Sequence, residues 1–302
     1  MKKLAALLLF LLAAVVAEAQ VKARTLTIVT EPRATVWIDD VSYGRTGADG
    51  RLTLRTFATG THRLRVRANG FREAAQTLTA ARRGEIRVAL VETTDAAEIA
   101  FQKAESETGD RERQVGLYEE AIRLRPNFPE AYIGLARTLA EIEELEGAHE
   151  AIAKARKYRS GYATASAVEG RLFKDEGEDE KAIASFRRAI REGKGFQPEA
   201  HTGLGLIFKD QAGAFAASGD ADSEDEYHRL AAAELRKAAT QLVGAPDALV
   251  IYQLLGDCYE RAKMWDEAIA AYREVIELFP DANEVTMFRS LITQIEKRKA
   301  EQ

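Results

Sequence analysis

A chain of 302 residues, 46% hydrophobic and 30% charged, holds enough apolar material for two folded domains and too much for a disordered polymer. Its single cysteine, Cys258, excludes an internal disulfide, and no His/Cys cluster has zinc-ligand spacing. The net charge of -5 hides an uneven distribution: residues 20–92 carry 13 Lys and Arg against 7 Asp and Glu, and residues 93–302 carry 28 against 40. A basic module precedes an acidic one, which favours either contact between them or different partners for each.

Lys2 and Lys3, the apolar run Leu4 to Val16 and the small-residue site Ala17-Glu18-Ala19 form the three parts of a secretory signal peptide over residues 1–19. No cysteine adjoins the cleavage site, so a lipid anchor is not available. An uncleaved anchor is the alternative, opposed by a run shorter than the roughly 20 residues that span a bilayer. No later apolar run is long enough either. The expectation is an exported protein, periplasmic or secreted, without a transmembrane segment after cleavage.

From Arg24 to Glu92 apolar residues alternate with polar ones: Leu26, Ile28; Val36, Ile38; Leu52, Leu54; Leu64, Val66; Ile86, Val88, Leu90. Gly44, Gly50, Gly60 and Gly70 separate the runs. This pattern predicts a small antiparallel β-sandwich over residues 24–92. The strings TIVTEPRATVWIDDVSYGRTG and ATGTHRLRVRANGFRE resemble the PEGA domain of bacterial extracytoplasmic proteins. Pro32, Ala34, Val36, Ile38, Asp39, Gly44, Gly60, His62, Leu64, Val66, Gly70 and Phe71 carry that resemblance. The chain departs from it at Arg33 and Asp40, where glycine is usual, and at Gly47, where proline is usual. TGADGRLTLRTFATGTHRLRVRANGF is also similar to the carboxypeptidase regulatory-like domain, the second choice. Either resemblance implies a β-sandwich without catalytic residues of its own.

Alternation places Arg63, Arg65 and Arg67 on one face of a strand, and Arg51 and Arg55 likewise on the preceding one. Paired as a hairpin, the two strands would present five guanidinium groups to carboxylates or phosphates of a cell-envelope polymer or partner. The alternative is a solvated face that protects the sheet edge. The face lacks aromatic interleaving, and nucleic acid is not an expected partner.

After a short join at Val91 to Asp95, which implies restricted motion between the modules, helical periodicity runs to the end. In the stretch Asp247 to Asp281, Tyr252, Leu255, Gly256 and Tyr259 share one helical face, and Ala268, Tyr272 and Val275 share the opposing face of a second helix stopped by Pro280. This resembles the tetratricopeptide repeat, with its period of about 34 residues. Tyr132, Leu135, Ala136, Ala148, Ile152 and Ala155 continue the pattern, as do Gly170, Phe173, Ala182, Phe186 and Ala189. A fourth copy has His201, Leu204, Gly205 and Phe208, but its second helix arrives late, after an insertion at about 212–230. The first copy keeps Phe101, Tyr118, Ala121 and Pro126, yet has Gln102, Glu105 and Gln114 where small or apolar residues belong. It reads as an atypical terminal repeat. Residues 95–302 are thus expected to form a superhelical all-α array of five repeats starting near 95, 129, 163, 198 and 249, closed by a capping helix at 283–301 with Val285, Phe288, Leu291, Ile292 and Ile295 on one stripe.

The insertion DQAGAFAASGDADSEDEYHRL predicts either lengthened helices or an acidic loop. Asp220, Asp222 and Glu224 superficially suggest calcium, but Asp225 replaces the required glycine and Ala231 the final ligand. No metal and no cofactor is expected. There is no HExxH, no GxSxG, no phosphate loop, and His62, His149, His201 and His228 fall in separate elements, so the chain is not expected to be an enzyme. His201 occupies an aromatic packing position, and Cys258 reads as a small buried thiol rather than a redox group.

The repeat resemblance implies that the first helix of each pair lines a concave groove. The position after the small residue points into it: Lys103, Arg137 and Arg171 in three consecutive repeats, then Leu206 and Asp257. Lys174 and Lys209 add cations one turn on. This ladder suits an extended acidic segment or chain terminus, or is simply solvated helix charge. The asparagines that related carboxylate clamps use are absent. The sequence thus points to an exported non-enzymatic adaptor or scaffold that binds a protein or peptide in the groove. The alternative is envelope attachment or a structural role through the basic β-sandwich.

Overall fold

The computed structural model describes residues 25–57, 60–79 and 81–301. The signal-peptide reading lies outside them. Seven strands come first: β1 (Leu26–Val29), β2 (Thr35–Ile38), β3 (Val41–Arg45), β4 (Arg51–Leu54), β5 (His62–Arg67), β6 (Ala74–Leu78) and β7 (Gly84–Arg87). They form two sheets, β4-β1-β7 and β3-β2-β5-β6. Leu26, Ile28, Val36, Leu64 and Val66 are fully buried between them, because alternation along each strand sends every second side chain to one face.

Three features depart from the sequence reading. β4 and β5 do not pair; β4 lies against β1 and β5 between β2 and β6. The chain changes sheets in the intervening segment, so no hairpin joins them. Nor is the sandwich wholly antiparallel, since β1 and β7 run parallel. β7 is entered from the other sheet, without a tight turn that would reverse it against β1. Finally, β3 and β6 carry few strong apolar residues, VSYGR and AAQTL, and escape an alternation search.

The two departures from the glycine pattern keep the glycine-like backbone. Arg33 (φ 58°) and Asp40 (φ 68°) both adopt the left-handed conformation, and Asp39 (φ 49°) joins Asp40 in a two-residue turn between β2 and β3.

Eleven helices follow among the described residues: α1 (Ala96–Ser106), α2 (Arg111–Leu124), α3 (Pro129–Glu141), α4 (Leu145–Tyr158), α5 (Ala163–Asp175), α6 (Asp179–Glu192), α7 (Pro198–Ser218), α8 (Ala221–Gln241), α9 (Ala248–Arg261), α10 (Trp265–Leu278) and α11 (Val285–Ala300). Asp95 caps α1 by accepting from the N–H groups of Ala97 and Glu98. Large residues of one helix fill the space left by small residues of its neighbour. A Cβ on Gly256 would fall 2.2 Å from Tyr272, so only glycine lets α9 and α10 approach over that ring. The insertion lengthens both helices of its pair: α7 and α8 have 21 residues each, against 13 or 14 in α3 to α6. Gly219 (φ 80°) turns between them, and Asp220 caps α8 by accepting from Ser223 N. At the far end α11 buries Val285, Phe288 and Ile295. No helix among the described residues is long and apolar enough to cross a membrane.

The apolar core of the β-sandwich runs without a break into α8 to α11, through Phe57, Val243, Ala245 and Tyr252. The sandwich is therefore packed on the helical array rather than strung before it.

Candidate functional site

The β-sandwich sits against the inner helices. Trp37, Asp40, Val41 and Ser42 of the β2–β3 hairpin, with Arg63 of β5, face α3, α5, α7 and α9 across a cavity of about 920 Å³. The opposite wall includes Arg137, Thr164, Arg171, Glu199, Thr202, Leu206 and Ile251. These come from the first helix of successive pairs, the side that the repeat geometry makes concave.

Polar seams hold the sandwich at both ends of the array. At the first repeat, the Gln102 side chain accepts from Gly70 N (2.8 Å) and donates to Phe71 O (2.7 Å) and Glu98 (2.9 Å). Arg67 reaches Glu105 at 3.6 Å and lies 4.8 Å from the Phe101 ring centroid. Glu105 also accepts from Tyr118 (2.7 Å), and Gln114 donates to Ala104 O (3.0 Å). Each of the three residues that depart from the repeat pattern thus has a role: two tie the helices to the sandwich, and the third secures the α1–α2 connection. Between α8 and α9, the Tyr43 hydroxyl donates to Val243 O (2.8 Å). Burial, then the charge of Asp39, push that phenol far up, so it stays a donor. Arg55 meets Asp281 at 2.5 Å, an exposed pair of little energetic weight.

The outer face of the β3-β2-β5-β6 sheet carries a stacked cluster. Arg65 and Arg67 lie 5.3 and 5.2 Å from the Trp37 ring centroid, and both bond to Glu73 at 2.8 Å. Burial opposes ionisation of Glu73, but bonds from Arg65 and then Arg67 prevail and hold its carboxyl below the usual range.

The five arginines expected on one face are divided. Arg51 and Arg55 belong to the edge of the three-stranded sheet, and Arg63, Arg65 and Arg67 to the four-stranded one. Arg51 bonds to Glu85 (2.8 Å), and Arg65 also bonds to Asp40. No common anion-binding face results.

The cations expected in the groove are mostly met by carboxylates of later repeats. Arg137 bonds to Glu199 (2.6 Å), Arg171 lies 4.0 Å from the same carboxylate, Lys174 pairs with Asp210 (3.0 Å) and Lys209 with Asp257 (3.5 Å). The proximity of Glu199 raises the Arg137 pKa against the opposing effect of burial. Arg137 and Arg171 share the cavity; Lys174 and Lys209 do not line it, and Lys103 is exposed elsewhere on α1. The sequence reading does not single out Trp37, Gln102, Tyr43 or Glu199 as site residues. A tryptophan on the polar side of an alternating strand and a glutamine at an apolar repeat position are the signals that mark the first two.

His201 is buried and hydrogen-bonded to Glu234 (2.7 Å), as a packing residue. Cys258 is fully buried, and burial pushes its thiol up to about 12, out of range for a nucleophile at neutral pH.

Comparison with known proteins matches residues 23–94 to the PEGA domain and residues 250–282 to the tetratricopeptide repeat. No curated protein sequence matches the chain. Similar solved structures include MamA (21% identity, TM-score 0.40, covering 62% of this chain and 94% of that one). TTC0263, a thermophilic TPR protein of Thermus thermophilus, is 21% identical with a TM-score of 0.45 and coverage of 66% and 98%. YrrB, described as a TPR protein with an unusual peptide-binding site, is 18% identical with a TM-score of 0.38 and coverage of 66% and 94%. The chain carries an N-terminal PEGA domain and, behind it, eleven described helices that include a tetratricopeptide repeat and resemble a tetratricopeptide superhelix.

Proposed function

We propose that this protein is a non-enzymatic adaptor that holds a segment of a partner protein on the concave face of its helices, beneath the PEGA domain. One observation carries the reading: the two modules line a half-open cavity of about 920 Å³ with polar, charged and apolar walls from both. Ligand sites favour such clefts between domains, and volumes of roughly 300–1,000 Å³ suit a compact ligand or a short extended chain.

Filling the cavity tests this. Leu206→Trp places a large ring in it from α7 without altering charge. Crosslinking in the native cell should capture a partner with the original chain and lose it with the folded variant; equal capture by both would reject the groove.

Polymer attachment through the β-sandwich is disfavoured by the engagement of Arg51, Arg55, Arg65 and Arg67 within the chain. Export is proposed from Lys2, Lys3 and the apolar run that follows. Amino-terminal sequencing of the protein recovered outside the cytoplasm should begin at Gln20, and retention in the cytoplasm would refute it.

A further inference from the structure

The charges around the cavity are not equally committed. Asp39 is taken up by His62, Asp40 by Arg65, and Glu199 by Arg137. Arg63 is exposed toward the cavity, and its guanidinium has no ion pair among the described residues. Arg171 has only the 4.0 Å approach to a carboxylate already bonded at 2.6 Å to Arg137. Two guanidiniums, one from each module, thus face the same space with hydrogen-bonding capacity to spare. Asp247, at the start of α9, is the one wall carboxylate among the described residues with no ion pair.

We propose that the cavity is a composite site for an acidic peptide segment, formed jointly by the PEGA domain and the repeats. Ligand carboxylates bond to Arg63 from the sheet and to Arg171 from α5, through charge-assisted hydrogen bonds of the kind guanidinium groups supply well. Thr164 and Thr202 give hydroxyls for the peptide backbone, while Trp37 and Leu206 supply an apolar wall for a neighbouring side chain. The four wall carboxylates disfavour a polyanion such as nucleic acid, whose affinity depends on uniform positive charge. A peptide with one or two acidic residues places its few charges at the arginines and meets less of that repulsion. The inference rests on the reading of the roofed groove as a binding site and adds the chemistry of what binds.

The test uses the full mature chain with Trp265→Phe, which leaves Trp37 as its one tryptophan. Three heptapeptide pools are titrated, identical in apolar positions and carrying two Glu, two Gln or two Lys. The Glu pool should shift Trp37 emission with at least tenfold tighter binding than the Gln pool. Arg63→Gln with Arg171→Gln should abolish that preference, while Arg51→Gln, on the other sheet, should leave it intact. Thermal melting confirms that each variant folds. Equal or tighter binding of the Gln or Lys pool overturns the acidic class while leaving the groove reading standing. A preference that survives loss of both arginines overturns the site. No emission change with any pool also overturns it, and the Leu206→Trp capture experiment then decides the groove reading separately.

Discussion

The side-chain amide of Gln102 bonds both the N–H of Gly70 and the carbonyl of Phe71, 2.8 and 2.7 Å away, and so fastens the first helix of the array to the β-sandwich. Its side chain is buried, with 2% of the residue exposed. Gln102→Leu keeps the size but leaves Gly70 and Phe71 without their partner, at a cost of about 1–3 kcal/mol. Gln102→Glu should cost more, because its carboxylate faces the Phe71 carbonyl and Glu98. Urea unfolding of the two variants checks the order.

Gly244 sits where the α8–α9 connection meets the sandwich. Its φ is 78°, and a Cβ would lie 1.9 Å from Thr56 O, a backbone atom that cannot swing away. Gly219 has a similar φ of 80° with open space around it. Gly219→Ala should therefore cost only about 1–2 kcal/mol for the left-handed backbone. Gly244→Ala should exceed that cost and lower the melting temperature further; equal losses would mean that the two modules do not press together there.

Glu143 is exposed, has a φ of 64°, and occupies the turn between α3 and α4. Glycine adopts this conformation without a Cβ penalty, although it restores flexibility to the unfolded chain. The balance predicts that Glu143→Gly stabilises by about 0.5–1 kcal/mol. Thermal or urea denaturation would show the gain, and a loss would contradict it.

Glu73 supplies the pH dependence of the arginine cluster. Its folded-state carboxyl lies below the ordinary value of 4.5, despite burial, because Arg65 and Arg67 bond to it. Its contribution is present in full above the unfolded value and is lost as pH falls through the folded one. Stability measured from about pH 6 to about pH 3 should fall more steeply for the original chain than for Glu73→Gln. Parallel slopes would show that Glu73 is not the group responsible.

Much of this architecture is readable from residue order because it depends on local periodicity. Val36, Ile38, Leu64 and Val66 mark strands by alternation, and the Gly256–Tyr272 size match marks a helical pair. These are relations within a strand or between consecutive helices, where spacing alone determines which side chains can meet. β3 and β6 give no such signal, because their short segments hold only one or two strong apolar residues.

The arginines show where residue order stops being sufficient. Their place on alternate strand positions follows from the sequence, but whether β4 and β5 share a sheet depends on which distant strands pair. Likewise, the phase of Arg137 and Lys174 on their helices follows from the repeat, whereas their carboxylate partners lie 62 and 36 residues further on. The sequence determined two modules, their order, the small-to-large packing of the repeats and the odd polar residues of the first pair. Only the tertiary structure decided that the sandwich seats on the concave helices, that Gln102 and Gly244 are among the points of contact, and that Arg63 has no ion pair among the described residues. The physical reason is that periodicity encodes which face of an element is buried, while the partner of that face is chosen by long-range packing.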